Sequence, residues 1–427
     1  MSSVFRSLQG HNYRVWAGGA IVSNVGTWMQ RTAQDWIVLT ELTHNNATAV
    51  GIVMALQFGP QVLLLPVTGL AADQLDRRMI LFCTQAGMGL LALGLGLLTV
   101  TGMVQLWHVY VFAFLQGCVA AFDAPARQTF VSELVAEEHL SNAVALNSTS
   151  FNAGRMIGPA AAGVLIAAVG TGWVFLINAL SFGAVLIALG VMRVHELRPR
   201  VKPKTRGRLS EGFRYIWQRP DLKAGIIMLF LVGTFGLNFP IFISTMAVSV
   251  FHKGAGQFGL LTSVMAIGSV IGALMAAKRS RPSMPILLGG AALFGAGLSL
   301  AAVMPTYGWY AFALTIVGVA AQTFTTSANG LMQMSTEASM RGRVMAIFLA
   351  VALGTTPIGA PTMGWIADAY GPRWAVAAGA LSGVLAAFVG LRYLIVHREM
   401  RLAFEHGRVR MRLNELPALE VEQKVGA

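Results

Sequence analysis

The stretch GLAADQLDRR, which runs from Gly69 to Arg78, decides the fold class of this chain. It lies between two long hydrophobic runs and combines a glycine, an aspartate four residues later and a pair of arginines. Charged side chains so close to hydrocarbon cost free energy and are kept mainly where they have a function. The stretch therefore indicates a loop at a membrane surface in which Asp73, Arg77 and Arg78 do more than turn the chain.

The composition of the whole chain is that of a membrane protein. Of its 427 residues, 55% are hydrophobic and only 11% are charged, and the mean hydropathy is +0.64. Soluble domains carry roughly 25% charged residues, so most of this chain must face lipid or other apolar helices. The formal net charge of +13 is spread between the apolar runs, and we therefore expect no nucleic-acid partner.

Twelve runs are long and apolar enough to cross a bilayer, since a helix needs roughly 20 largely apolar residues to span the hydrocarbon core. They cover residues 14–40, 48–70, 79–101, 105–126, 142–169, 172–193, 222–250, 256–277, 284–304, 308–333, 343–367 and 373–397. Their continuity argues against a membrane β-barrel, whose strands alternate over about ten residues. We expect an all-α integral membrane protein with twelve transmembrane helices.

The basic residues predict the orientation of these spans. On the side of the two termini lie 27 of the 31 lysines and arginines, whereas Arg31 and Arg155 fall within spans and only Lys253 and Arg373 lie on the other side. Loops rich in lysine and arginine stay in the cytoplasm. We expect a multi-pass protein of the bacterial cytoplasmic (inner) membrane with both termini in the cytoplasm.

A basic, proline-containing stretch divides the chain in its middle. Within it, residues 209–217 place apolar side chains on one helix face, which predicts an interfacial helix. The expected divisions are an N-terminal six-helix half at 1–193, a cytoplasmic linker at 194–221, a C-terminal six-helix half at 222–397 and a cytoplasmic tail at 398–427.

The two halves resemble each other in sequence. Residues 157–181 align with 358–382 at a constant offset of 201, which places Gly163 on Gly364. Parallel halves with the substrate between them at the midplane are one transporter plan. Chance similarity between glycine- and alanine-rich spans is the alternative.

Two charges lie inside the first predicted span, in the stretch WMQRTAQDW. Arg31 and Asp35 are four residues apart and therefore share a helix face on which they can pair. Burial favours a protonated carboxyl, whereas Arg31 favours the carboxylate, so Asp35 is a candidate proton acceptor for coupled transport. A structural ion pair that locks the first span explains the same residues equally well.

A third charge, Arg155, lies in the middle of the fifth span without an acid nearby in the sequence. Asp123, near the inner end of the fourth span, could pair with it, and binding of an anionic substrate is the alternative. The spans contain no HExxH, nucleophile elbow or metal-ligand cluster, and the chain has no Walker loop. We expect neither an enzyme nor a bound metal or cofactor.

Twelve spans, a long central loop and the Gly69 stretch together resemble the major facilitator superfamily. In that family the loop between helices two and three usually has the sequence G-x-L-A-D-R-x-G-R-R/K. The matching positions are Gly69, Ala72, Asp73, Arg77 and Arg78, and the departures are Ala71, Gln74 and Asp76. The resemblance covers about residues 5–400 and implies the major facilitator fold with two six-helix halves.

Three segments resemble one branch of that superfamily, the one that contains the enterobactin exporter and related bacterial efflux proteins. They are SNVGTWMQR at 23–31, DAPARQ at 123–128 and RGRVM at 341–345. The branch resemblance implies export of a small molecule of the drug or siderophore class.

The fifth span also resembles the antiporter motif G-x-x-x-G-P-x-x-G-G, with Ala162 replacing the first of the last two glycines. Its matching residues are Gly154, Gly158, Pro159 and Gly163. Small residues let helices approach closely, and such a contact would close the central cavity against leakage. This favours export, with ordinary tight packing as the alternative.

The Gly69 stretch is expected to act as a conformational gate. Asp73 would accept hydrogen bonds from the N-terminus of the eleventh span, whose partial positive charge favours an anion, while Arg77 and Arg78 reach acids or phosphate headgroups. A structural turn would need the glycine but hardly the aspartate. The sequence GWIADAYGPR at the end of the eleventh span repeats the spacing with Gly364 and Asp368.

These observations predict a secondary active transporter that works by alternating access. We expect a monomer in the lipid bilayer that exports a small amphipathic substrate in exchange for protons. A proton-coupled uptake carrier of the same fold is the alternative.

Overall fold

The computed structural model describes residues 3–198, 209–278, 282–398, 401–405 and 408–412. The first six spans are His11–Trp36 continued by Ile37–Leu42, Ala47–Leu63 continued by Leu65–Gln74, Arg77–Val100, Leu106–Leu134, Glu137–Val169 and Thr171–Val191. The last six are Pro220–Val250, Ala255–Ala277, Met284–Val303, Tyr307–Met334, Arg341–Tyr370 and Pro372–Arg398. The predicted twelve-helix fold is confirmed. We call spans one to six the N-terminal half and spans seven to twelve the C-terminal half.

Ten helices in the described part of the chain are long and apolar enough to cross a membrane by themselves. The first span is not among them because polar side chains such as Gln30, Arg31 and Asp35 lower its hydropathy. The second span is divided at Leu64, just before Pro66, because proline cannot donate the backbone hydrogen bond that would continue the helix. Both exceptions line the space between the halves.

The seventh span is the most irregular. It consists of the α-helices Pro220–Leu231 and Phe239–Thr245 and the π-helical turns Val232–Gly236 and Met246–Val250. Leu237 and Asn238 interrupt the helix, and Pro240 lies at the start of the second helix.

Shorter elements lie outside the spans. They are the 3₁₀ turns Ser3–Gln9 and Val194–Glu196, the helix Leu209–Gln218, and an antiparallel hairpin formed by the strands Arg401–Glu405 and Arg408–Arg412. The helix Leu209–Gln218, which we call the linker helix, packs against the seventh and eleventh spans. A helix is therefore present at the predicted place, and its interfacial position stays a prediction.

Two pairs of helices join the halves. The second span packs against the eleventh, and the fifth packs against the eighth. Within the N-terminal half, the first span lies against the fifth and sixth. We call the end of the bundle where the first span begins the terminal face, and the other end the opposite face.

Candidate transport pathway

A cavity of 190 Å³ lies between the two halves, near the middle of the bundle. Its charged side chains all come from the first and fifth spans: Arg31, Asp35 and Arg155. The remaining wall is mostly apolar and comes from both halves: Trp28, Thr32, Met54, Gln57, Phe58, Leu237, Phe239, Pro240, Ile243, Phe258, Thr262, Met265 and Thr356. The fold thus brings three predicted intramembrane charges into one space, which we call the central cavity.

The two arginines of the central cavity share one aromatic neighbour. The Cζ atoms of Arg31 and Arg155 lie 5.1 and 5.8 Å from the centre of the Trp28 ring, and Arg31 lies 5.7 Å from that of Phe58. A cation is attracted to the electron-rich face of such a ring. Both guanidinium groups keep their charge, and Asp35 supplies one negative charge at most. The central cavity therefore carries a net positive charge, which favours an anionic or oxygen-rich ligand.

Asp35 lies within electrostatic reach of Arg31, but the two form no direct ion pair in the described structure. The helix widens into the turn Ile37–Leu42 two residues after Asp35. Close by, the Gln57 side-chain amide donates a hydrogen bond of 3.2 Å to the Gln34 side-chain oxygen, which joins the first two spans. The predicted i, i+4 arrangement is present, and the carboxylate faces the central cavity.

A second cavity, which we call the vestibule, extends from Arg31 towards the terminal face. It measures 610 Å³ and is lined by residues of the N-terminal half. Its polar lining consists of Asn24, Thr27, Gln61, Asp123, Arg127, Gln128, Asn147, Ser148 and Asn152. Such a wall can hold water, so Arg31 stands between a polar space on the side of the terminal face and the less polar central cavity.

The predicted pair of Asp123 and Arg155 does not form. One oxygen of Asp123 accepts a hydrogen bond from Arg127 Nε at 3.0 Å, and the other accepts from Thr84 Oγ1 at 2.8 Å and Gln85 Nε2 at 2.7 Å. The fourth span packs mainly on the second and third spans, so the nearest donors saturate the carboxylate. The spacing from Asp123 to Arg127 is itself an i, i+4 pair that sequence reasoning passed over.

Residues of the antiporter-like motif take part in two separate contacts. Gly154 and Gly158 lie against the backbone of the first span, where a methyl group at Gly158 would come within 2.6 Å of Trp28 Cβ. Gly163 lies against the eighth span, where a methyl group would come within 2.6 Å of the Ala255 carbonyl oxygen. The motif therefore packs the fifth span on its own half and on the other half at once.

The contact of the fifth and eighth spans lies towards the opposite face. Gly259 faces Pro159 so closely that a Cβ atom at Gly259 would overlap the proline carbonyl oxygen. The backbone N–H of Ala160 donates a hydrogen bond to Ser263 Oγ at 3.1 Å. We call this contact the first seal.

A second seal joins the eleventh and second spans at the opposite face. Asp368, near the end of the eleventh span, accepts hydrogen bonds from the backbone N–H groups of Ala47 at 2.7 Å and Thr48 at 2.8 Å. Thr48 Oγ1 donates to the same carboxylate at 2.6 Å. About one helical turn closer to the terminal face, Gly51 contacts the backbone of Ala360 so closely that no side chain fits. The repeat of the Gly69 spacing identified Asp368 in the sequence, but it did not predict that Ala47 and Thr48 bind its carboxylate.

The Gly69 stretch is tied to its own half. Arg77 Nη1 donates to Glu133 Oε1 at 2.8 Å on the fourth span. Arg78 donates to the Leu189 carbonyl oxygen at 2.7 and 3.0 Å, at the end of the sixth span. Gly69 has open space beside it, and the side chain of Asp73 lies outside the described residues. Acids or phosphate groups were predicted as partners of both arginines. Arg77 binds an acid, whereas Arg78 binds a backbone carbonyl group.

Asp76, which departs from the family pattern, has a local structural role. Its Oδ1 atom accepts hydrogen bonds from the backbone N–H of Arg78 at 2.8 Å and of Met79 at 3.3 Å. It thereby caps the N-terminus of the third span. The acid that replaces the usual glycine is used for this cap in the structure.

Comparison with known proteins agrees with this architecture. A sequence-family profile described as transmembrane secretion effector matches residues 2–426. The Staphyloferrin A transporter of Staphylococcus aureus (strain NCTC 8325 / PS 47) is 26% identical over 389 residues, 89% of this chain and 95% of that protein. The Enterobactin exporter EntS of Salmonella choleraesuis (strain SC-B67) is 25% identical over 363 residues, 84% of this chain and 86% of that protein.

Solved structures with the same fold include two transporters. A bacterial homolog of the human lysosomal transporter Spinster, inward-facing and unoccupied, superimposes with a TM-score of 0.70 at 15% identity and covers 90% of this chain and 97% of its own. A POT family transporter in complex with 5-aminolevulinic acid gives 0.71 at 12% identity and covers 90% and 96%. At these identities the likeness concerns the fold.

Proposed function

We propose that this chain, which belongs to the major facilitator superfamily and within it to the transmembrane secretion effector family, exports a small amphipathic molecule in exchange for protons. It is a multi-pass membrane transporter of a small molecule, and the proposal concerns direction, coupling and cargo. The observation that carries it is the central cavity, in which Asp35 faces two arginines midway between the halves.

The two seals support alternating access. Both the Gly163 contact and the Asp368 contact hold the halves together at the opposite face, while the vestibule extends towards the terminal face. A cargo molecule would enter from the terminal face, and rocking of the halves would break the seals and release it on the other side. The antiporter-like residues Gly154, Gly158, Pro159 and Gly163 would prevent leakage in between.

The Gly69 stretch would close the terminal face in the alternate state. The second and eleventh spans form one pair whose members run in opposite directions, and each ends in the same G-x-x-A-D spacing. Asp368 at the end of the eleventh span caps the start of the second. Asp73 would cap the start of the eleventh span at Arg341 in the same manner, with the roles of the two helices exchanged.

Coupling to protons would use the charges of the central cavity. For exchange, the cargo and the proton must occupy the central cavity in turn. The ionised Asp35 would accept a hydrogen bond from a donor group of the cargo while the two arginines attract its acidic oxygens. A proton that reaches Asp35 from the opposite face would remove this acceptor and release the cargo. Asp123, saturated by its own neighbours, would hold the vestibule wall in shape.

The cargo is proposed to be of the siderophore or drug class. Two arginines beside Trp28 and Phe58 combine cationic and aromatic surfaces, which suits a molecule with both acidic oxygens and apolar rings or chains. The two relatives named above carry siderophores by their names. We further propose a monomer in the bacterial inner membrane, with the terminal face in the cytoplasm and the stretch 194–221 as the linker between halves.

Transport into vesicles of opposite orientation tests the direction. In inside-out vesicles that contain the protein, an acid interior should drive accumulation of a siderophore or dye, and collapse of the pH gradient should abolish it. Right-side-out vesicles should not accumulate the same compound under an inward proton gradient. The uptake carrier predicts the reverse result in both preparations, so the two functions are distinguishable with one cargo panel.

A further inference from the structure

A groove of 450 Å³ lies outside the transport pathway, on the lipid side of the C-terminal half at the terminal face. It is bounded by the end of the linker helix, the start of the seventh span and the end of the twelfth span. Its lining includes Trp217, Lys223, Ile227, Phe388 and Arg392, and we call it the lateral groove. It shares no lining residue with the central cavity or the vestibule.

In the lateral groove the charged side chains lie at the terminal face and the apolar side chains lie deeper in the bundle. Lys223 lies near the start of the seventh span and Arg392 near the end of the twelfth, so both stand at the terminal face. Ile227 and Phe388 lie one helical turn deeper, about 6 Å further into the bundle. Phe388 is 62% exposed, so the apolar floor is open to the bilayer.

The cations of the lateral groove have no acidic partner among the described residues. Lys223 Nζ lies 5.0 Å from the centre of the Trp217 ring, and Arg392 is exposed. The nearby acid, Asp221, is held at both oxygens by Arg219 at 3.0 and 2.8 Å. Within the described part of the chain, no acid therefore compensates the positive charge at the mouth of the groove.

The linker helix places aromatic rings at the same level. Phe213 and Trp217 stack at 5.1 Å, and both are about half exposed, at 54% and 52%. Aromatic side chains of this kind prefer the boundary between headgroups and hydrocarbon. Lys223, which contacts Trp217, thus stands at the depth of the phosphate groups of the adjoining leaflet.

We propose that the lateral groove binds one anionic phospholipid, with its phosphate between Lys223 and Arg392 and one acyl chain along Ile227 and Phe388. Basic pockets beside transmembrane helices select acidic headgroups by charge. A free anion would use only the mouth of the groove, whereas an acyl chain also covers its apolar floor. A bound anionic phospholipid therefore explains both the positive charge at the mouth of the groove and the apolar side chains below it.

Native mass spectrometry of the full-length protein in mild detergent tests the proposal. Wild type should retain phosphatidylglycerol roughly tenfold better than phosphatidylcholine of the same acyl chains. The variant Lys223→Gln with Arg392→Gln should lose that preference, whereas Lys278→Gln with Arg6→Gln removes two exposed cations elsewhere on the terminal face and should keep it. Equal retention of both lipids by wild type, or equal loss in the control variant, overturns the proposal.

A second variant addresses the acyl chain. Ile227→Trp fills the floor of the lateral groove and leaves its cations in place, so phosphatidylglycerol retention should fall although the charge is unchanged. Soluble glycerol phosphate should not displace the lipid at equal concentration. Displacement by glycerol phosphate, or unchanged retention in Ile227→Trp, would show a plain anion site and contradict the lipid assignment.

Discussion

The carboxylate of Asp368 accepts hydrogen bonds from both the backbone N–H and the hydroxyl of Thr48, at 2.8 and 2.6 Å, across the boundary between the two halves. An anion at a helix N-terminus is stabilised by the free N–H groups and by the helix dipole. The eleventh span thus holds the start of the second span in place. In the proposed alternating-access cycle, opening of the opposite face would require these bonds to break.

We predict that Asp368→Ala shifts the protein towards states that are open at the opposite face. A hydrogen bond to a charged group contributes about 1.5–3 kcal/mol. Loss of one such bond would change the ratio of closed to open states by roughly tenfold or more. Spin-label distances between positions Met103 and Trp309, one on each half, should lengthen. Asp76→Ala is the matched control because Asp76 also caps a helix but joins no halves; identical distances in both variants would refute the role of Asp368.

Asp35→Asn should abolish transport driven by a pH gradient while leaving exchange of labelled for unlabelled cargo intact. The amide keeps the shape of the side chain but cannot take up and release a proton. Vesicle assays of both activities in the same preparation make the measurement. Glu41→Gln serves as control, since Glu41 lies on the same span and bonds to Thr171 away from the central cavity. Coupled transport that survives in Asp35→Asn would assign Asp35 a structural role.

Gly163→Ala should weaken the first seal. The added methyl group would come within 2.6 Å of the Ala255 carbonyl oxygen, and backbone atoms on both sides cannot yield without moving the helices apart. A cysteine placed at Thr262 in the central cavity should then react faster with a membrane-impermeant thiol reagent added at the opposite face. Gly183→Ala on the sixth span, where a methyl group meets no atom within 4 Å, should leave the rate unchanged.

Asp123→Ala should lower stability without uncoupling transport. It leaves Arg127 unpaired in a mostly buried position and removes the acceptor of Thr84 and Gln85, a loss of about 3 kcal/mol in the free energy of unfolding. Thermal unfolding in detergent should show a lower midpoint, and the remaining folded protein should keep its dependence on the pH gradient. Glu138→Gln, an exposed acid on the next span, provides the comparison. A normal midpoint with lost coupling would make Asp123 part of the proton path.

Sequence patterns predicted the spans closely because burial in lipid demands long apolar helices with few alternatives. The predicted run at 284–304 corresponds to Met284–Val303, and the interfacial helix at 209–217 to Leu209–Gln218. The fourth span was the poorest prediction, since it was expected to end at 126 and reaches Leu134. Its last two turns contain Arg127 and Glu133, which are paired with Asp123 and Arg77. Hydropathy alone does not recognise such pairs.

The amino-acid sequence alone was sufficient for the family resemblance, the number of spans and the set of charges within the membrane, because each follows from local composition and spacing. Asp73, Arg77 and Arg78 were found in this way at Gly69–Arg78. The partners of those charges were decided by the tertiary structure. In the structure Arg77 binds Glu133, and Asp123 binds Arg127 instead of Arg155. Asp368 binds Thr48, which lies 320 residues away in the sequence. Helix packing makes these choices, because a buried charge binds whichever donor or acceptor the neighbouring helix presents, and no sequence spacing encodes that neighbour.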